Sequence, residues 1–149
     1  MPRITIASIQ PPCLDEASPA AHAHMTERGF ALLAEALAKD TAFCCLPEYF
    51  NVFGAEADAY CELAANHGDF LDRTRARAAD HASHIILPMI VPDGDAFYNR
   101  VYLIGPDGKV VERWDQVKVP KHAEAVLKLS LIHISEPTRR TPISYAVFC

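Results

Sequence analysis

The chain has 149 residues, half of them apolar, and a net charge of −5. That composition supports a sizeable core, excludes a disordered segment and argues against nucleic acid or an anionic membrane surface as a partner. No apolar run reaches the length of a membrane span, no signal-peptide pattern opens the chain, and the five cysteines are odd in number and lack metal-type spacing, so one domain or part of one is expected, in a reducing cytoplasm, with no metal and no cofactor.

Residues 3–10 are rich in β-branched side chains and predict a first, central strand. Pro11-Pro12 ends it, and Ser18-Pro19 predicts a helix cap with proline at the first helical position. The pattern is helical from there to Ala38. Phe30, Leu33 and Leu37 recur on one face, with Glu27, Arg28, Glu35 and Lys39 toward water. An apolar strand over 41–46 follows at once, so the chain opens with a β-α-β unit and a parallel pair. After a mixed stretch with a short helix near residues 60–63, Gly68-Asp69 begins a second long helix. Phe70, Leu71, Thr74 and Ala78 share one of its faces, and Arg73, Arg75 and Arg77 spread around the others as a solvated surface. Residues 83–91 form a near-continuous apolar strand, buried on both sides in a parallel setting. Pro92-Asp93-Gly94-Asp95 turns the chain into a strand over 97–104, and Pro106-Asp107-Gly108 turns it again into a partner over 109–114. The class is α/β, with a mixed sheet.

The chemistry points to Leu46-Pro47-Glu48-Tyr49-Phe50-Asn51-Val52-Phe53-Gly54. Glu48 stands at the carboxyl end of a parallel-type strand, where open α/β sheets bind their ligands. Its neighbours are apolar and aromatic, a setting that desolvates a carboxylate and suits a general base. A loop or helix-capping glutamate is the other reading of the same spacing. Tyr49, Asn51 and Phe53 are candidate substrate contacts, and Phe50 is a core residue. His22 with His24, and His81 with His84, have no carboxylate partner and read as structural. Adjacent Cys44 and Cys45 read as small core residues. A nucleotide-binding domain fails because Pro11-Pro12 stands where a glycine-rich turn would bring backbone amides to phosphate.

Three pieces in order resemble the nitrilase, or carbon–nitrogen hydrolase, superfamily. They are the strand over 4–10, Leu46-Pro47-Glu48, and the run from Tyr98-Asn99 through an apolar strand and the Asp107-Gly108 turn into the next strand. The resemblance covers about residues 3–120. It implies the N-terminal part of a nitrilase-like α-β-β-α sandwich, truncated, whose parent forms homo-oligomers. It also implies a Glu-Lys-Cys triad acting on a non-peptide carbon–nitrogen bond of a small amide, carbamoyl or nitrile substrate. In such a triad a thiolate attacks the substrate carbon, a carboxylate relays the proton, and a fixed cation stabilises the developing negative charge.

Glu48 matches the general base of that pattern. The lysine motif, laid without a gap on Trp114-Asp115-Gln116-Val117-Lys118-Val119-Pro120, puts Gln116 in the lysine position. Lys118 is two residues on, on the same strand face, and fills the position if the register shifts by two. Lys121, beyond the proline, is a poorer candidate. No cysteine elbow follows. Cys44, Cys45 and Cys61 precede the lysine segment, and Cys149 is the last residue. The nucleophile is thus missing from this sequence, and the chain itself is expected to be inactive. A non-catalytic nitrilase-like binding or regulatory protein is the alternative.

Residues 129–149 resemble a translated transposon-type sequencing adapter. Residues 129–139 and 143–149 match its two constant segments, and Arg140-Thr141-Pro142 occupies the index between them. The expected organisation is a partial carbon–nitrogen hydrolase domain over 1–128 and a non-native read-through tail over 129–149.

Overall fold

The structure, a computed structural model, describes residues 4–14, 16–94 and 96–115. Its elements in order are β1 (Ile6–Ser8), α1 (Pro19–Leu37), β2 (Phe43–Cys45), two short 3-10 turns (Phe50–Val52 and Ala57–Ala59), α2 (Tyr60–Ala65), α3 (His67–Asp80), β3 (His84–Asp93), β4 (Ala96–Ile104) and β5 (Val110–Trp114). The strands form one mixed sheet in the order β1-β2-β3-β4-β5. β1, β2 and β3 run parallel, and β3, β4 and β5 form an antiparallel meander. Among the described residues no helix is long and apolar enough to cross a membrane.

Helix α1 starts as its cap residues dictate. Ser18 is extended, its hydroxyl accepts a hydrogen bond from the Ala21 amide at 3.0 Å, and Pro19 occupies the first helical position. Phe30, Leu33 and Leu37 on α1 and Ala78 on α3 pack with Cys44, Leu46, Ile85, Leu87, Met89, Val91, Tyr102 and Ile104. These strand residues are two apart along each strand, so they share a face. Both long helices therefore cover the same side of the sheet.

β1 is not the central strand that its β-branched content suggested. It is three residues long and, among the described residues, pairs only with β2. Ile4 and Ile6 are 57% and 67% exposed. β-branched residues fit a pleated surface wherever the strand lies, so they do not report sheet position. The centre belongs to β3, which is parallel to β2 on one side only and antiparallel to β4 on the other.

The α3 arginines are not a free solvated surface either. The guanidinium groups of Arg73 and Arg77 lie 3.9 and 4.6 Å from the ring centre of buried Phe30. Arg73 also reaches Glu27 on α1 at 2.9 Å. Burial, with the Arg73 charge beside it, lowers the pKa of Arg77 from its ordinary value. Stacking on an aromatic face lets a cation dock one helix on another while its head stays hydrated.

Arg75 anchors the hairpin between β4 and β5, its Nε donating to the Gly108 carbonyl at 2.8 Å. In that turn the Gly105 amide donates to the Lys109 carbonyl and the Gly108 amide to the Gly105 carbonyl. Gly108 has φ +73°, and a Cβ there would lie 2.8 Å from the Arg75 carbonyl oxygen and 3.2 Å from the Ala79 methyl. Gly108→Ala meets both a left-handed backbone and a backbone atom that cannot swing away. It is expected to cost about 1–3 kcal/mol, read as a lower urea midpoint at constant m.

Candidate active site

β2 leaves the sheet at its carboxyl end, while β3 continues to Asp93. The last β2-side contact is the Leu46 amide donating to the Ile86 carbonyl at 3.0 Å. Amides two apart in a strand point the same way, so Pro88 lacks its donor on the edge that β2 has vacated, where proline is tolerated. Farther along that edge, Asn51 stands in for the missing strand. Its Nδ2 donates to the Ile90 carbonyl at 2.8 Å, and its Oδ1 accepts from the Ile90 amide at 2.9 Å.

Between Leu46 and Asn51 the chain makes a tight turn that carries Glu48. Tyr49 has φ 56° and ψ 35°, a left-handed conformation that costs a non-glycine residue roughly 1–2 kcal/mol. The turn is held from below by Phe50, which is fully buried and packs edge-on against Phe30 and Phe70 with ring centres 5.1 and 5.6 Å apart. Its far end is tied to α1: His22 Nδ1 donates to the Phe53 carbonyl at 2.9 Å, and the Ser18 amide donates to the Gly54 carbonyl at 3.1 Å.

Glu48 itself is exposed, so the desolvation expected from its sequence neighbours is not realised. Leu46 and Phe50, two residues to either side, are buried in the core, while Tyr49 beside it is exposed. Its carboxylate is nevertheless oriented, because Asn99 Nδ2 on β4 donates to Oε1 at 2.9 Å. Tyr49 is 40% exposed and Phe53 half-buried, both flanking the turn. Asn51, expected at the entrance, is instead fully buried with both ends of its amide engaged by Ile90. Gln116, Lys118, Lys121 and Cys149 lie outside the described residues.

The described cysteines near the turn are poor nucleophiles. Burial pushes the Cys44 thiol up to about 11, against the opposing hydrogen bond from Ser83, and burial also raises Cys45. A raised pKa leaves little thiolate at neutral pH. Cys13 and Cys61 are exposed. Iodoacetamide is therefore expected to alkylate Cys13 and Cys61 well before Cys44 in the folded chain, with peptide mapping by mass spectrometry as the readout. Early loss of the Cys44 thiol would contradict this placement.

Arg100 has no role in the sequence reading. Its side chain is 9% exposed, and it pairs with Asp115 and, at 3.4 Å, with Asp93. Burial pulls its pKa down, but the hydrogen bond to Asp115, helped by Tyr102, more than offsets this and raises it overall. Alternation along β4 puts Arg100 on the opposite face from Asn99, so it braces the hairpin away from Glu48. An arginine inside an apolar strand, with an aspartate at each end of the flanking strands, was the signal for it. Among the described residues no group of three or more His, Cys, Asp or Glu is placed to hold a metal ion.

The chain belongs to the carbon–nitrogen hydrolase family, which matches over residues 5–144. Solved structures with the same fold include a carbon–nitrogen hydrolase from Helicobacter pylori G27, with a TM-score of 0.60 at 15% identity, covering 79% of this chain and 41% of that one. The C. elegans NitFhit protein gives 0.59 at 16% identity, covering 78% and 28%. An amidase from Nesterenkonia sp. AN1 in complex with acrylamide gives 0.61 at 19% identity, covering 85% and 48%. At these identities the likeness establishes a nitrilase-like α/β fold. The chain spans about half or less of the length of these three proteins. Among curated proteins none matches the sequence.

Proposed function

We propose that Glu48 is the general base of a hydrolase acting on non-peptide carbon–nitrogen bonds, of amide, carbamoyl or nitrile type, in an intact parent that completes a Glu-Lys-Cys triad. The observation that carries this reading is a carboxylate held at the carboxyl end of a parallel strand by a dedicated side-chain donor, in a chain of the carbon–nitrogen hydrolase family. A base must be oriented toward the proton it takes, and Asn99 leaves Oε2 for that purpose. Lys118 supplies the cation, with Gln116 as the occupant in the ungapped register, and Tyr49 and Phe53 flank the substrate. Support for a cysteine nucleophile comes from a mutant of the Nesterenkonia amidase that shows Michael addition of acrylamide at the active-site cysteine.

The parent acts as a cytoplasmic homo-oligomer on a small molecule. The 149-residue chain, whose one cysteine after the lysine segment is its last residue, Cys149, gives no turnover. Assay of the purified chain against acetamide and acetonitrile, with ammonia release as the readout, is expected to match the buffer blank, and sustained turnover would overturn the inactivity. The boundary at residue 128 belongs to the same proposal, although the family match runs on to 144. Re-sequencing the locus from genomic DNA tests it, and finding the last 21 codons in the native gene would remove the read-through reading.

A further inference from the structure

Two asparagine amides meet at the same place on the β3–β4 hairpin. Asn51 holds both backbone groups of Ile90, and Ile90 is the cross-strand partner of Asn99. Asn99 in turn holds the Glu48 carboxylate. The turn from Glu48 to Asn51 is therefore stapled to the hairpin at each end, by backbone pairing at Asn51 and by the carboxylate itself at Glu48.

The orientation of the Asn99 amide is informative. Its Oδ1 is shut off from solvent and has no hydrogen-bond partner among the described residues. A buried, unpaired acceptor costs free energy. Turning the amide over would not help, because it would set Oδ1 against the Glu48 carboxylate, acceptor against acceptor. The side chain thus keeps its donor on Glu48 at the expense of its own acceptor.

We propose that Asn51 and Asn99 are positioning residues that aim Glu48: Asn51 fixes the height of the turn against β3, and Asn99 fixes the rotation of the carboxylate so that Oε2 faces the incoming substrate. This rests on Glu48 being the base and adds which groups orient it. Neither amide touches the reacting atoms. Orientation of this kind is worth about 10²-fold in rate when it is lost.

The 149-residue chain, labelled with ¹³C and ¹⁵N, provides the first test. The Asn99 carboxamide resonances are expected to move with pH in step with the Glu48 carboxyl carbon, and to stop moving in Glu48→Gln. Asn99 signals that ignore pH, or that titrate unchanged in Glu48→Gln, overturn the proposal.

Kinetics of the intact parent separate it from the reading it rests on. Asn99→Ala is expected to lower kcat by about 10²-fold with KM little changed. Asn99→Asp, nearly isosteric and able to fold, is expected to be worse, because it faces Glu48 with a second carboxylate. A purely structural asparagine would give the reverse order. If Glu48→Gln abolishes turnover while both Asn99 variants are neutral, the staple falls and the base stands. If Glu48→Gln is itself neutral, the base falls.

Discussion

With Glu48 as the proposed base, Glu48→Gln is expected to lower kcat of the intact parent by about 10²- to 10⁴-fold, the usual contribution of a positioned general base. The substitution keeps the size and hydrogen-bond geometry of the side chain. A glutamine Oε1 still accepts from Asn99 Nδ2, so the turn that carries it is retained. What disappears is the capacity to accept the proton of the nucleophile. The expected signature is a fall in both kcat and kcat/KM, with substrate affinity largely preserved. Ammonia release under saturating amide measures it, and a rate within a factor of about three of the parent, roughly 0.65 kcal/mol in the barrier, would assign the carboxylate to structure alone.

Phe50→Ala destabilises the folded chain by about 3–5 kcal/mol, the range for deleting a buried aromatic ring. Phe50 is fully buried beneath the turn that carries Glu48 and joins Phe30 and Phe70 in one aromatic cluster. It also lies against Gly29, where an added Cβ would stand 2.5 Å from the Phe50 ring edge. The helix backbone has been brought close to receive the ring, so little can collapse into the hole that alanine leaves. Urea unfolding followed by far-UV circular dichroism provides the measurement. A loss below about 1 kcal/mol, hardly more than an ordinary surface change, would show that the cluster is loosely packed.

Local signals were legible in the sequence and long-range ones were not. Ser18-Pro19 fixed the start of α1, and Pro106-Asp107-Gly108 fixed the last hairpin, because capping and turn chemistry act over four residues. The position of Glu48 after a strand was legible because an apolar run and a proline mark it. Its hydrogen bond with Asn99 was not, since the two are 51 residues apart in the chain. Asn51 read as a substrate contact, and only the shortness of β2 relative to β3 explains why its amide is instead buried against Ile90. The same limit applies to Arg73 and Arg77: periodicity spread them around α3, but the ring they stack on belongs to α1. β1 misled for a different reason, since its residue types are equally at home at an edge.

Two unpaired stretches among the described residues, one along β3 beyond the end of β2 and one at β1, have opposite consequences for self-association. Where β2 has departed, β3 offers no template to a foreign strand. Pro88 has no amide to give, and the Ile90 donor and acceptor are already satisfied by Asn51. β1 has neither device among the described residues, and Ile4 and Ile6 project from it into water. An edge with free backbone groups and apolar side chains invites a neighbouring molecule to add a strand. A foreign strand should therefore add at β1 more readily than beside β3, and lysine in place of Ile6, a charge of the kind that natural edge strands carry, should suppress that addition.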